Sequence, residues 1–199
     1  MLRKPPPIGV VLAGGQGRRM GGSKLIVPLR GRPLISYPLQ ALKTVLADVA
    51  VIAKPDVELP PLAGVDVWIE PAEPHHPLVG IVEALVLAAG RPVMVCPADL
   101  PLLTPSLVSQ IVQTRPERAP AVIACHRGRT QPLLGCYQPA AAELLAPAAR
   151  RADQPVRDVV AAMGAREVEV SDPDELFNVN SPEDLLVAHA MLDQPKVKS

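Results

Sequence analysis

Two stretches of this 199-residue chain carry residue types that handle phosphate and metal. The first is Leu12-Ala13-Gly14-Gly15-Gln16-Gly17-Arg18-Arg19-Met20-Gly21-Gly22-Ser23-Lys24, with five glycines among the nine residues from Gly14 to Gly22. Lacking Cβ atoms, such a segment turns tightly and lets backbone N–H groups approach phosphate oxygens. Arg18, Arg19 and Lys24 add the positive charge that a nucleoside triphosphate needs neutralised. A flexible glycine loop explains the glycines but not three cations among them. Two familiar phosphate signatures do not fit. The Walker order puts Lys before Ser/Thr, whereas Ser23 precedes Lys24 here, and GxGxxG needs glycine where Met20 stands.

The second stretch is Cys96-Pro97-Ala98-Asp99-Leu100-Pro101, directly after the apolar run Val93-Met94-Val95. A carboxylate at the carboxyl end of a central strand faces the ligand crevice of an α/β fold and suits a hard, oxygen-seeking cation. Flanking prolines restrict the turn. Asp also caps turns, but Thr104-Pro105 already supplies a helix N-cap nearby and frees Asp99 from that duty. His75-His76 does not read as a metal pair, because adjacent residues rarely ligate one ion and no third ligand accompanies them.

These residues need a scaffold, and short β-branched runs alternate with longer apolar-periodic segments. Strands are predicted at Ile8–Leu12, Val49–Ala53, Val65–Glu70, Val93–Cys96, Ala121–Cys125, Leu133–Tyr137 and Glu167–Val170. Helices are predicted at Pro33–Leu46, Pro77–Ala89, Pro105–Thr114, Ala140–Leu145, Val156–Met163 and Pro182–Met191. Proline opens four of them, where its missing N–H costs nothing, and Pro38 should bend or shorten the first. Ser181-Pro182-Glu183-Asp184 resembles a capping box with Asp in place of Glu. The expected fold class is α/β: a single domain, residues 1–199, with a mostly parallel Rossmann-like sheet and helices on both faces. Its core spans about 8–193, and residues 1–7 and 194–199 read as loose tails.

Composition narrows the function. Twenty Lys+Arg balance twenty Asp+Glu, and there are four aromatics, so neither a basic stripe nor a stacking platform for nucleic acid is expected. No apolar run reaches membrane-spanning length, and three prolines follow the charged start. Cys96, Cys125 and Cys136 lie in apolar stretches, form no CxxC, and fit buried thiols in a reducing cytoplasm.

Leu12-Ala13-Gly14-Gly15-x-Gly17-x-Arg19-Met20-Gly21-Gly22-x-Lys24, followed by Pro28-Leu29-x-Gly31-x-Pro33-Leu34, resembles the signature of the nucleotidyltransferases that include molybdenum cofactor guanylyltransferase. His76-Pro77-Leu78-Val79-Gly80, Thr130-Gln131-Pro132-Leu133-Leu134 and Phe177-Asn178-Val179-Asn180-Ser181-Pro182-Glu183-Asp184-Leu185 resemble further family segments in the family's order. The resemblance implies transfer of GMP from GTP to the phosphate of molybdopterin cofactor with release of pyrophosphate. It implies Mg2+ held by Asp99, and phosphates held by the Gly14, Gly15 and Gly17 backbone with Arg19 and Lys24. Leu12, Ala13, Gly14 and Glu70 would complete the nucleotide site, and Gln131, Pro132, Asn178 and Asn180 the acceptor site. Partners would be GTP, the molybdopterin cofactor and cofactor-delivery proteins.

The chain departs from the family pattern in two places. The Asn-Ala-Asn common after the second strand is replaced by Ile52-Ala53-Lys54, and the Asp after the third strand by Glu70. The base is then expected to be read by backbone groups of Leu12 to Gly14, with Gly14 leaving room for a purine where cytidylyltransferases tend to carry Ala. A cytidylyltransferase on the same scaffold, a different phosphorylated acceptor, and a nucleotide-sensing or scaffold protein without the chemistry are the alternatives.

Overall fold

A computed structural model describes residues 5–14 and 24–193. In chain order it comprises β1 (Ile8–Leu12), a short 3-10 turn (Lys24–Ile26), β2 (Pro28–Leu29), β3 (Arg32–Pro33), α1 (Ser36–Val45), β4 (Val49–Ala53) and β5 (Asp66–Ile69). Next come α2 (Pro77–Leu87), β6 (Val93–Pro97), α3 (Pro105–Gln113), β7 (Ala121–His126) and β8 (Arg129–Tyr137). The chain then forms α4 (Ala141–Arg151), α5 (Val156–Ala162), β9 (Arg166–Glu169), a second 3-10 turn (Pro173–Leu176) and α6 (Pro182–Asp193). Seven strands make one sheet in the order β5-β4-β1-β6-β8-β7-β9, and β2 and β3 form a separate hairpin. Strands β5, β4, β1 and β6 are mutually parallel, while β8 runs antiparallel to both its neighbours.

Both faces of the sheet are buried, and successive residues of each central strand alternate between them. Val11, Val51, Ala53, Met94 and Cys96 pack on the side of α1 and α3, whereas Val10, Ala50, Ile52, Val93 and Val95 pack on the side of α2 and α4. This is why those strands read as continuous apolar runs. With four aromatics in the chain, branched aliphatic side chains fill the interior, joined by Tyr137, which is fully buried. Burial pushes the Cys136 thiol up to about 12 and raises the Cys96 thiol as well, so both behave as small apolar groups. Among the described residues, no helix is long and apolar enough to cross a membrane.

Three elements differ from expectation. Pro33 does not open α1; it belongs to the hairpin, whose Arg30-Gly31 turn holds both residues at positive φ, the arrangement a two-residue turn needs. The helix starts at Ser36 instead, which places Pro38 in its first turn, where a missing N–H is harmless. Helix α4 continues past Leu145 to Arg151 despite Pro147, because Pro147 faces solvent while Leu145, Ala148 and Ala149 are buried beneath it. Strand β8 begins at Arg129 and carries a wide bulge. Ile123 pairs with Gly135 and Ala124 with Gln131, so Pro132, Leu133 and Leu134 stand outside the ladder. The Tyr137 hydroxyl donates to the Pro132 carbonyl at 2.5 Å and pins the bulge.

The capping box of α6 extends to the residue ahead of it. Ser181 Oγ accepts the Asp184 N–H at 3.1 Å, and the Asp184 carboxylate accepts the N–H of Asn180 at 2.8 Å. Chiefly that Asn180 N–H, with smaller help from Ser181 and Lys24, holds the Asp184 carboxyl below its ordinary value.

Two stability measurements check this description. A Cβ at Gly135 would stand 2.7 Å from the Val122 carbonyl oxygen and 2.8 Å from Ile123 Cγ2. Gly135→Ala should therefore destabilise by about 1–3 kcal/mol and lower Tm by about 2–4 °C per kcal/mol; an unchanged Tm would contradict the β7–β8 register. Because the folded-state pKa of Asp184 is depressed, its stabilisation is present above the unfolded-state value of 3.8 and is lost as pH falls through the folded one. Asp184→Asn should lower Tm near neutrality, with the difference from wild type shrinking in acid; a difference that does not depend on pH would contradict the box.

Candidate active site

The parallel strands β5, β4, β1 and β6 all end on one side of the sheet, and each delivers a polar or Cβ-free position there. Glu70 follows β5, Lys54 follows β4, Gly14 lies just beyond β1, and Asp99 just beyond β6. Open α/β sheets bind their ligands in this crevice. It forms a cleft of about 700 Å³ walled by these four residues with Leu12, Lys24, His75, His76, Gly80 and Asn180, among others. A second cleft of about 620 Å³ is lined by Gln131, Pro132, Asn178 and Arg157, and shares Pro97, Asp99 and Leu133 with the first. Asp99 therefore stands on the boundary between two ligand-sized spaces.

At the Asp99 end, Lys24 Nζ donates to Asp99 Oδ2 at 2.7 Å and to Asn180 Oδ1 at 2.9 Å. The other carboxylate oxygen, Asp99 Oδ1, is buried and has no hydrogen-bond partner among the described residues. An oxygen left in that state is a ligand position for a hard cation. Among the described residues, no group of three or more His, Cys, Asp or Glu could hold a metal. A Mg2+ ion at Asp99 would accordingly complete its shell with phosphate and water oxygens, as Mg2+ commonly does.

At the opposite end, Glu70 is only 4% exposed and its neighbour Lys54 equally buried. Their charged groups lie 3.6 Å apart. Burial raises the Glu70 carboxyl above its ordinary value, and Lys54 is the largest influence pulling it back down. The carboxylate occupies space made by two glycines: a Cβ on Gly14 would overlap Glu70 Oε1, and one on Gly80 would stand 2.9 Å from Oε2. The room that Gly14 leaves is thus filled by Glu70 and is not the open space expected from the sequence. Between the two ends, His76 Nδ1 accepts the Leu78 N–H at 3.3 Å and caps α2, while its Nε2 lies 3.0 Å from the Gln154 carbonyl. With Nδ1 accepting, Nε2 is the ring nitrogen left to donate to the Gln154 carbonyl. His75 Nε2 sits 3.2 Å from Glu73 Oε1.

The structure gathers most of the residues singled out from the sequence. Leu12, Gly14, Lys24, Glu70, Asp99 and Asn180 line the larger cleft, and Gln131, Pro132 and Asn178 the second. Ala13 turns its side chain into the core, where it is 1% exposed, and spends its N–H on the Ile52 carbonyl. Gly15, Gly17 and Arg19 lie outside the described residues. Asn178 and Asn180, both expected in the acceptor site, line different clefts. Asn180 holds Lys24 in the larger cleft, whereas Asn178 lines the second and bonds the Leu176 carbonyl. Sequence reasoning assigned no role to Lys54, Arg157 or Tyr137. The available signal was a lysine closing an apolar strand, which must find a partner if it is buried.

Comparison with known proteins agrees with this geometry. The MobA-like NTP transferase domain matches residues 9–168. The molybdenum cofactor guanylyltransferase of Cereibacter sphaeroides is 33% identical over 188 residues, spanning 92% of this chain and 96% of that one. Among solved structures, molybdopterin-guanine dinucleotide biosynthesis protein A from Archaeoglobus fulgidus superposes with a TM-score of 0.76 at 23% identity, covering 93% of this chain and 98% of that one. The 2-C-methyl-D-erythritol 4-phosphate cytidylyltransferase from Thermus thermophilus superposes with a TM-score of 0.69 at 21% identity, covering 93% and 98%. At those identities the two structures speak for the fold. Domain match, relative and strand-end cleft agree, and the chain belongs to the MobA-like nucleotidyltransferases, enzymes that move a nucleotide from a nucleoside triphosphate to a phosphorylated acceptor.

Proposed function

We propose that this enzyme transfers GMP from GTP to the phosphate of molybdopterin cofactor and releases pyrophosphate, with Mg2+ held at Asp99. The observation that carries the choice of nucleotide is the Glu70 carboxylate at the floor of the larger cleft, seated between Gly14 and Gly80. An ionised carboxylate offers two acceptor oxygens, the complement of the adjacent N1–H and N2–H donors on guanine. Identity to relatives named as molybdenum cofactor guanylyltransferases supports the acceptor.

In this reading the base lies toward Glu70, the triphosphate extends past Lys24 to Asp99, and the acceptor occupies the second cleft. Its phosphate then reaches the α-phosphorus across the boundary that Asp99 forms between the two spaces. An acceptor phosphate oxygen forms the new bond to the α-phosphorus as the bond to the pyrophosphate oxygen breaks. The acceptor is already an anion, so no base is needed to deprotonate it. Positioning and charge neutralisation carry the acceleration. Lys24, oriented by Asn180, places a compact positive charge beside the reacting phosphates. Bound Mg2+ would supply Lewis-acid stabilisation of phosphate charge. Gln131, Pro132 and Asn178 would hold the pterin.

The deciding experiment offers GTP, CTP, ATP and UTP separately with Mg2+ and molybdopterin, and measures pyrophosphate. Release with GTP should exceed the others by at least about tenfold, and a preference for CTP would overturn the guanylyl assignment. Asp99→Ala should fold normally by circular dichroism and lose about 10²–10⁴-fold in kcat, the worth of a phosphate-bound cation's clamp; near-normal turnover would remove Asp99 from the metal role. Gly14→Ala should displace the Glu70 carboxylate and lower kcat/KM for GTP by about 10–200-fold, with CTP affected less. Equal losses for both nucleotides would show that Gly14 does not act on base choice.

A further inference from the structure

Lys54 closes β4 at the wall of the larger cleft, yet its ammonium is turned toward protein groups. Its ammonium has three donors. It donates to the Pro71 carbonyl at 2.7 Å and the Pro74 carbonyl at 3.3 Å, and pairs with Glu70 Oε1 at 3.6 Å. All three partners belong to the segment that leads from β5 to α2, and the side chain is 4% exposed. A buried cation anchored by two carbonyls and paired with a carboxylate acts on the site through what it holds.

What it holds has two possible hydrogen-bond codes. An ionised carboxylate accepts at both oxygens, whereas a neutral one donates from one of them. Burial favours the neutral form unless a cation is close. The ionisable groups bearing on Glu70 are Lys54 at the end of β4, His75 in the segment before α2, and Glu83 on α2; the first two favour its charge and the third opposes it. Gly14 and Gly80 flank its two oxygens without contributing charge. Guanine presents two neighbouring donors to such a group, whereas cytosine presents a donor beside a ring-nitrogen acceptor. The charge on Glu70 thus decides which base the floor of the cleft can satisfy.

We propose that Lys54 is the positioning residue that sets nucleotide choice, by keeping Glu70 ionised and seated between Gly14 and Gly80 so that the subsite accepts two N–H donors. This rests on the GTP reading and deepens it. Without Lys54 the carboxyl takes up a proton more readily, its code changes to donor plus acceptor, and cytosine becomes an equal match.

The test measures dissociation constants for GTP and CTP by calorimetry, without acceptor, from about pH 5.5 to about pH 8.5. Both nucleotides share the same triphosphate titration and every protein shares His75, so the GTP-to-CTP ratio isolates the base subsite. Wild type should hold a constant preference for GTP across the range. Lys54→Met should lose about tenfold or more of that preference as pH falls and regain it as pH rises. Lys54→Arg, which retains the charge, should keep the preference, and Glu70→Gln, which carries donor and acceptor at any pH, should lose it throughout. A Lys54→Met protein with the constant ratio of wild type overturns the role of Lys54 while leaving the GTP reading standing. A wild type that prefers CTP overturns that reading and this inference together. Should Lys54→Met fail to fold, the other two variants decide: retained preference in Glu70→Gln overturns the proposal, and its loss there alongside retention in Lys54→Arg supports it.

Discussion

One ammonium group draws the reactive end of this protein together. Lys24 Nζ bonds Asp99, 75 residues away in sequence, and Asn180, 156 residues away. The first partner stands at the end of a central strand and the second just before the last helix. Lys24 itself opens the short turn leading into the β2–β3 hairpin. That hairpin packs back on α6 through Leu29, Leu34, Val179 and Ala188, and Asp184 of α6 holds the Asn180 backbone. The carboxyl-terminal helix therefore serves as a backstop for an amino-terminal lysine. A charged contact this long in sequence is stable only because the sheet and this small apolar cluster have already fixed both ends of it.

The opposite end of the cleft is built on absence of volume. Gly14 and Gly80 each lack the Cβ that would collide with Glu70, so the carboxylate fits between a strand-end loop and a helix. Seating a charge there carries a desolvation cost of several kcal/mol, and Lys54 is close enough to offset it. Replacing the pair with apolar residues would be the simpler way to stability. Its retention in a ligand cleft is consistent with a task at the site, since perturbed carboxyls concentrate where binding or catalysis uses them.

The boundary between the two clefts depends on an irregularity. A regular β8 would keep Pro132 and Leu133 in its ladder with β7; the bulge frees them to line clefts that Asp99 also borders, and the Tyr137 hydroxyl bonds the Pro132 carbonyl. His76 performs a related service from the other side, tying the first turn of α2 to the Gln154 carbonyl just ahead of Pro155 and Val156, which line the second cleft. Both clefts thus share supports.

The alternation of buried β-branched runs with proline-opened helices determined the α/β layering from the sequence alone, because a strand buried on both faces leaves an apolar run that solvent-facing segments cannot imitate. The phosphate and metal candidates were legible for the same local reason: glycines, lysine and aspartate stood immediately after such runs, and parallel strands must bring their ends to one side. Lys54 and Glu70 were each visible, but their pairing depends on β4 and β5 being adjacent in the sheet, which no local pattern specifies. The separation of Asn178 from Asn180, the filling of the Gly14 space by Glu70 and the bulge in β8 were decided by tertiary packing. Each depends on which distant side chain or strand competes for the same few ångströms, and that competition exists only once the chain has folded.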